Sequence, residues 1–314
     1  RMKMRKRFSR AALGELWASV RRNKEYYFLL APFAILFTCF FLIPIGTSVA
    51  LSFSDFNMVQ FPDFVGLQNY VRMFFDDSVF LIAVKNTLLY ALFTGPLSYV
   101  ICLFFAWLVN ELTPWLRTIF TFLLYIPAMS SAVFTVWAFI FSGDQYGLVN
   151  SFLMQLGLLR EPVQWLNDPD YVLWVVIGVQ LWMSLGAAFL SFLAGFQGID
   201  RQQYEAAAID GVSNRLQEFW RITLPNMGPQ LLFGAVMQIG AAFAAGEVGT
   251  ALLSAAGAGG IATDYAATTL ITHMLEVGTV RNEMGYAFAI SVFLFLLMIA
   301  FNAIIRRVLR RFTE

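Results

Sequence analysis

What this chain can fold into is restricted most by a series of long apolar runs: Tyr26–Phe53, Phe80–Val109, Leu116–Phe141, Val172–Gly195, Gln230–Leu253 and Met284–Ile305. Each reaches or approaches the roughly 20 residues an α-helix needs to cross a bilayer. A hydrocarbon interior has no hydrogen-bond partners, so a crossing segment must satisfy its own backbone, as a helix does. The expected fold is therefore all-α: a polytopic membrane protein with six transmembrane helices. Only 13% of residues are charged, against roughly 25% in a soluble domain. The first run is too long for the apolar core of a signal peptide and lacks a small-residue cleavage site, so it reads as a retained span.

Basic residues orient such a chain, because Lys and Arg accumulate in its cytosolic segments. Seventeen of the 21 lie before the first run, at the start of the third (Arg117), between the fourth and fifth, or after the last. Only Arg72, Lys85, Arg160 and Arg281 fall on the other side. Both termini are predicted to be cytosolic. The chain then divides into a basic N-terminal segment, residues 1–25, and a six-span membrane domain, residues 26–314, with a polar cytosolic loop at 201–225. Within the first segment, Leu13, Leu16, Trp17 and Val20 recur at helical spacing. They fit either an interfacial helix over Ala11–Arg22 or a basic tail.

The sequence lacks most chemistry. It has no phosphate-binding G-x-x-x-x-G-K-[ST] loop, no H-E-x-x-H and no G-x-S-x-G. His273 is the only histidine, and Cys39 and Cys102 both sit in apolar runs, where packing is the expected role. No enzyme activity, metal or cofactor is predicted for this chain. Its net charge is +1 with dispersed basic residues, which gives no nucleic-acid surface. Ionisable residues are nearly missing from the spans, whereas an ion-coupled carrier needs them there. Energy for any transport is thus expected from another subunit.

Against this background the polar stretch Tyr204–Pro225, YEAAAIDGVSNRLQEFWRITLP, stands out between two apolar runs. Glu205 to Ile209 are helix-compatible, and Gly211 is a natural helix stop. A second short helix over Arg215–Ile222 is expected to end before Pro225. The result is a surface helix–turn–helix whose small residues let another protein approach its backbone.

Glu205-Ala206-Ala207, then Gly211, then Ile222-Thr223-Leu224-Pro225 resembles the EAA loop of permease subunits of binding-protein-dependent ABC importers. Ten residues separate Gly211 from Ile222, one more than the family's usual spacing, which leaves the register of the second half open. Phe64-Val65-Gly66-Leu67-Gln68-Asn69-Tyr70, Gly147-Leu148-Val149-Asn150 and Trp165-Leu166-Asn167-Asp168-Pro169 are similar to further stretches of the sugar-type members. The resemblance spans most of the chain.

The resemblance implies a type I importer fold in the bacterial inner membrane. It implies a second, related but distinct permease subunit, two cytosolic ATPase subunits that carry the ATP and Mg, and an extracytoplasmic solute-binding protein. Glu205, Ala206, Ala207, Asp210 and Gly211 would form the ATPase-coupling element. Matching to the larger permease subunit of maltose importers places a substrate path at Gln180, Met183, Ser184 and Ala187, and near Met237, Gly240, Ala241 and Ala244; Gln238 and Glu247 join this set as polar residues of the fifth run. Gln180, Ser184 and Gln238 either face that path or bond between helices. The small residues of the fifth run serve either close helix packing or a wide path. Sugar or oligosaccharide is the implied cargo, and the similarity extends to alginate-type permeases. Glycerol phosphate import and ion-coupled carriage are the alternatives. Pro32, Pro44, Pro96 and Pro127 mark places where spans are free to kink.

Overall fold

A computed structural model describes residues 23–313 apart from 245 and 258. The Ala11–Arg22 segment lies outside the described residues. Four apolar helices cross unbroken or nearly so: Lys24–Leu51, Ser78–Asn110, Val172–Gln197 and Met284–Ile305. Two further crossings are bent pairs, Pro114–Met129 with Val133–Ile140 at 84°, and Gly228–Phe243 with Gly246–Ala255 at 48°. The six apolar runs are thus six helical spans. With six crossings, the 111–113 and 198–227 connections lie at one end of the bundle, as do residues 23 and 313, the first and last described. The 52–77, 141–171 and 256–283 connections lie at the opposite end.

The prolines behave in three ways. Pro96 is accommodated inside the uninterrupted helix Ser78–Asn110. Pro44 follows a widened π turn at Thr38–Leu42 and starts the next helical segment. Pro127 falls in a 3₁₀ turn, Ile126–Met129, after which Ser130 is extended and the helix restarts at Val133. A proline supplies no N–H and its ring crowds the preceding turn. That cost is met by a widened turn in one span and by a sharp break in another.

The second, fourth and fifth spans form the centre of the bundle. Cys102, Ala106, Leu185, Phe189, Phe192 and Met227 make one buried cluster among them. Gly234 is required there, because a Cβ on it would run into the Phe192 ring, and Gly95 packs against Ala242. The fifth span therefore has two sides. Gly234, Ala235, Gln238, Ile239, Ala242 and Phe243 are buried, while Phe233, Met237, Ala241 and Ala244 are exposed within this chain. The sixth helix packs on the fifth, and the second half of the first span, Ile43–Leu51, lies against the sixth. The apolar stretch of the first span buries none of its residues in the chain itself.

Side chains knit the end opposite the termini. Asp77 caps the second span by accepting from the Phe80 N–H at 2.9 Å. Its Oδ2 also accepts from the Tyr286 hydroxyl at 2.7 Å and pairs with His273 Nε2 at 2.8 Å. Arg72 pairs with Glu283 at 2.7 Å and lies over the Tyr286 ring. Fully buried Asn150 donates to the carbonyls of Ser142, Asp144 and Val163 and accepts from the Val163 N–H and Trp165 Nε1. This single amide organises the whole 142–165 connection.

Candidate functional site

The polar loop between the fourth and fifth spans is built from local signals. Asp200 accepts from the Gln202 N–H and starts the helix Arg201–Ile209. The helix ends as a Schellman motif. The Val212 N–H donates to Ala207 O at 3.0 Å and the Gly211 N–H to Ala208 O at 3.3 Å. Gly211 takes φ +88°, a left-handed conformation that costs other residues. Asn214 caps the second helix through the Leu216 N–H.

The second helix does not stop before Pro225. It runs from Arg215–Glu218 through a π turn, Phe219–Thr223, into Leu224–Asn226. The Leu224 N–H reaches back five residues to Phe219 O, and the widened turn makes room for the proline ring. The side chain of Asn226 then donates to Ile222 O at 2.7 Å, which satisfies a carbonyl beside the proline.

The two loop helices are tied together. Tyr204 and Thr223 share a hydrogen bond at 3.0 Å, and Asn226 Nδ2 donates to Gln203 Oε1 at 2.6 Å. These pairs set the register of the second half of the loop. Arg215 bridges Glu218 at 3.0 Å and Glu111 at 3.4 Å, joining the loop to the turn before the third span. The Glu218 hydrogen bond, helped by Glu111, pushes the Arg215 pKa up. Arg117 closes that turn by donating to Asn110 O and Leu112 O.

The tip is presented outward. Glu205, Ala206, Asp210 and Gly211 are exposed and Ala207 is half-buried, with Ile209 87% and Trp220 67% exposed. The loop is thus a cross-tied bracket with an apolar, small-residue edge and two carboxylates, Glu205 and Asp210, that have no ion-pair partner among the described residues.

The second candidate set divides. Met183 is half-buried and Ala187 exposed on the fourth span, and Met237, Gly240, Ala241 and Ala244 form an open or half-open side of the fifth. A Cβ added at Gly240 would meet nothing within 4 Å. Gln180 is half-buried. Ser184 and Gln238, by contrast, are buried, and the Gln238 side chain bonds between helices. The Ser184 hydroxyl donates to Leu181 O at 2.7 Å, and the Gln238 amide donates to Cys102 Sγ at 3.0 Å and Ser184 O at 3.4 Å. Glu247 is exposed in the first turn of Gly246–Ala255. A helix N-terminus favours a carboxylate, so it needs no basic partner from its own span. Cys102 is more than packing, since its thiol donates to Ser184 O at 3.2 Å. That role, like those of Asn150 and Asp77, depends on contacts across spans and left no local signal beyond a polar residue beside an apolar run.

Residues 98–314 match the model of the family described as binding-protein-dependent transport system inner membrane component. The chain is similar to the probable ABC transporter permease protein YesP of Bacillus subtilis (36% identity, 72% of each chain). It is also similar to the arabinooligosaccharides transport system permease protein AraP of the same organism (31% identity, 88% of this chain and 86% of the relative). Its fold matches a chain of a bacterial alginate ABC transporter solved in complex with an alginate pentasaccharide-bound periplasmic protein. The TM-score is 0.72 at 24% identity, over 95% of this chain and 98% of that one.

Proposed function

Because this chain belongs to the family of binding-protein-dependent transport system inner membrane components and is an ABC importer permease, we propose that it forms half of a translocation path for an oligosaccharide. In this reading ATP is hydrolysed on partner subunits. Arg201–Asn226 is the element they grip. The observation that carries it is the bracket itself: two capped helices, cross-tied, with the exposed edge Glu205–Gly211 between the fourth and fifth spans. Glu205 is the charged anchor, Ala206 and Ala207 the close-contact surface, and Asp210 and Gly211 the turn. The excess of basic residues at this end supports a cytosolic position for the bracket and both termini.

A second permease subunit would cover the side of the bundle left open by Met183, Ala187, Met237, Gly240, Ala241 and Ala244. A binding protein would deliver cargo to the opposite end. ATP binding would bias a two-state rigid-body switch, from inward- to outward-facing, through the bracket. The open side is lined by small and apolar residues, and none of those named here is charged. It suits a neutral sugar, as with the arabinooligosaccharide relative. An acidic cargo, as in the alginate transporter, would need its charge matched by the partner subunit.

The test is cross-linking from Ala207→Cys, in a Cys39→Ser background, in native membranes, with mass spectrometry of the product. Capture of a cytosolic ATPase subunit, changed by added ATP, is expected. An inserted, folded protein that captures nothing would overturn the reading.

A further inference from the structure

The fourth span is interrupted at its middle. Its first half ends at Met183, Gly186 is non-helical at φ −114° and ψ −131°, and the helix resumes at Ala187. The Ser184 carbonyl at this gap accepts from the Gly186 N–H at 2.8 Å, the Cys102 thiol at 3.2 Å and the Gln238 amide at 3.4 Å. Cys102 Sγ in turn accepts from Gln238 at 3.0 Å. Three spans, the second, fourth and fifth, therefore meet at one carbonyl, and all three side chains are buried.

The place of this knot in the fold gives it a role. The resumed half, Ala187–Gln197, leads into the bracket, and the bracket leads into Gly228–Phe243. The fifth span bends by 48° just beyond Phe243. One piece of chain, Ala187 to Phe243, is thus joined to the rest by a break at each end and carries the bracket in its middle. Inside the piece, Gly234 against Phe192 holds its two helices together. Gln238 belongs to the piece, Cys102 to the second span, and Ser184 to the fixed half of the fourth.

We propose that Gln238 and Cys102 form a latch that sets the angle of the Ala187–Phe243 piece in the resting conformation and that opens when the bracket is driven. The proposal rests on the importer reading. Gln238 is a positioning residue in it and does not contact cargo. The bonds suit a latch, because the two made by Gln238 join a moving part to fixed ones, and one of them uses sulfur, a weak partner. Met237, Gly240 and Ala241 lie on the adjacent open side, so turning the piece reshapes the path.

The experiment uses the complete importer in proteoliposomes, with its binding protein. Gln238→Leu and Cys102→Ala should each raise ATP hydrolysis without binding protein, by about ten-fold, and shrink the stimulation by loaded binding protein. The double variant should go little further. Cys102→Ser, which keeps a donor and an acceptor, should restore the low basal rate. The latch is overturned if basal hydrolysis stays low in Gln238→Leu and Cys102→Ala while the cargo concentration for half-maximal uptake rises, since that is the mark of a cargo contact. Equal behaviour of Cys102→Ser and Cys102→Ala would also overturn it, and this comparison stands even if Gln238→Leu fails to insert. A wild-type complex without ATP-dependent uptake would overturn the importer reading instead.

Discussion

Asp77 shows how much one side chain holds at the end opposite the termini. It caps the second span and receives Tyr286 from the sixth helix and His273 from the short helix before it. Burial pushes its carboxyl up, but the hydrogen bonds from Tyr286, the Phe80 N–H and His273 outweigh that and hold its pKa below the ordinary 3.8. A carboxylate with a lowered folded pKa contributes fully above its unfolded value and loses the contribution as pH falls through the folded one. Asp77→Asn should therefore cost about 2 kcal/mol at neutral pH, the scale of hydrogen bonds to a charged group. In thermal unfolding of the detergent-solubilised protein, the gap between wild type and Asp77→Asn should close as pH drops below 3.8. A gap that persists unchanged into acid would refute this role. In the sequence Asp77 is only a polar residue before an apolar run, and its partners His273 and Tyr286 come from far along the chain and have no local signature.

At the scale of the element, the bracket and the fifth span make separate predictions. Gly211 sits at φ +88° with open space around a would-be Cβ, so Gly211→Ala should cost only the conformational term, roughly 1–2 kcal/mol. Gly211→Pro cannot adopt that φ and loses the N–H bonded to Ala208. It should abolish cargo uptake while leaving the protein in the membrane and the ATPase active, measured as uptake and hydrolysis in the same vesicles. Undiminished uptake would sink the coupling assignment. Gly234→Ala should destabilise by about 1–3 kcal/mol through overpacking on Phe192, and Phe192→Leu in the same chain should recover part of the loss in unfolding midpoint. The bracket was readable from sequence because its determinants are local: Asp200 and Asn214 as caps, Gly211 as the stop. Pro225 misleads for the same reason. Its usual meaning is a helix end, and only the π turn at Phe219–Thr223 lets the helix continue.

At the scale of the whole molecule, two surfaces are left exposed among the described residues: the first half of the first span, Lys24–Phe37, and the small-residue side of the fifth. In an importer of two permease subunits the second is expected to meet the partner or line the path. Single cysteines at Ala241 and Ala244, in a chain without Cys39, should react with a water-soluble thiol reagent at rates that change between nucleotide-free and ATP-trapped complexes. A cysteine at Phe28, exposed on the first span, should show no such change. Equal, unchanging rates at all three positions would contradict a path along this side.

The sequence alone determined the six crossings, their expected orientation and the bracket, because hydrocarbon thickness, charge asymmetry and capping each act within a short stretch of chain. It could not tell which side of a span faces its neighbours. Lipid and protein interior are equally apolar, so a membrane helix shows no polar face to mark its exposed side. Ser184 and Gln238, polar residues in apolar runs, fitted either a path or a contact between helices. Only the tertiary structure turns both inward onto Cys102, and only it breaks the fourth span at Gly186, where the carbonyl left free by the gap is satisfied by side chains from two other spans.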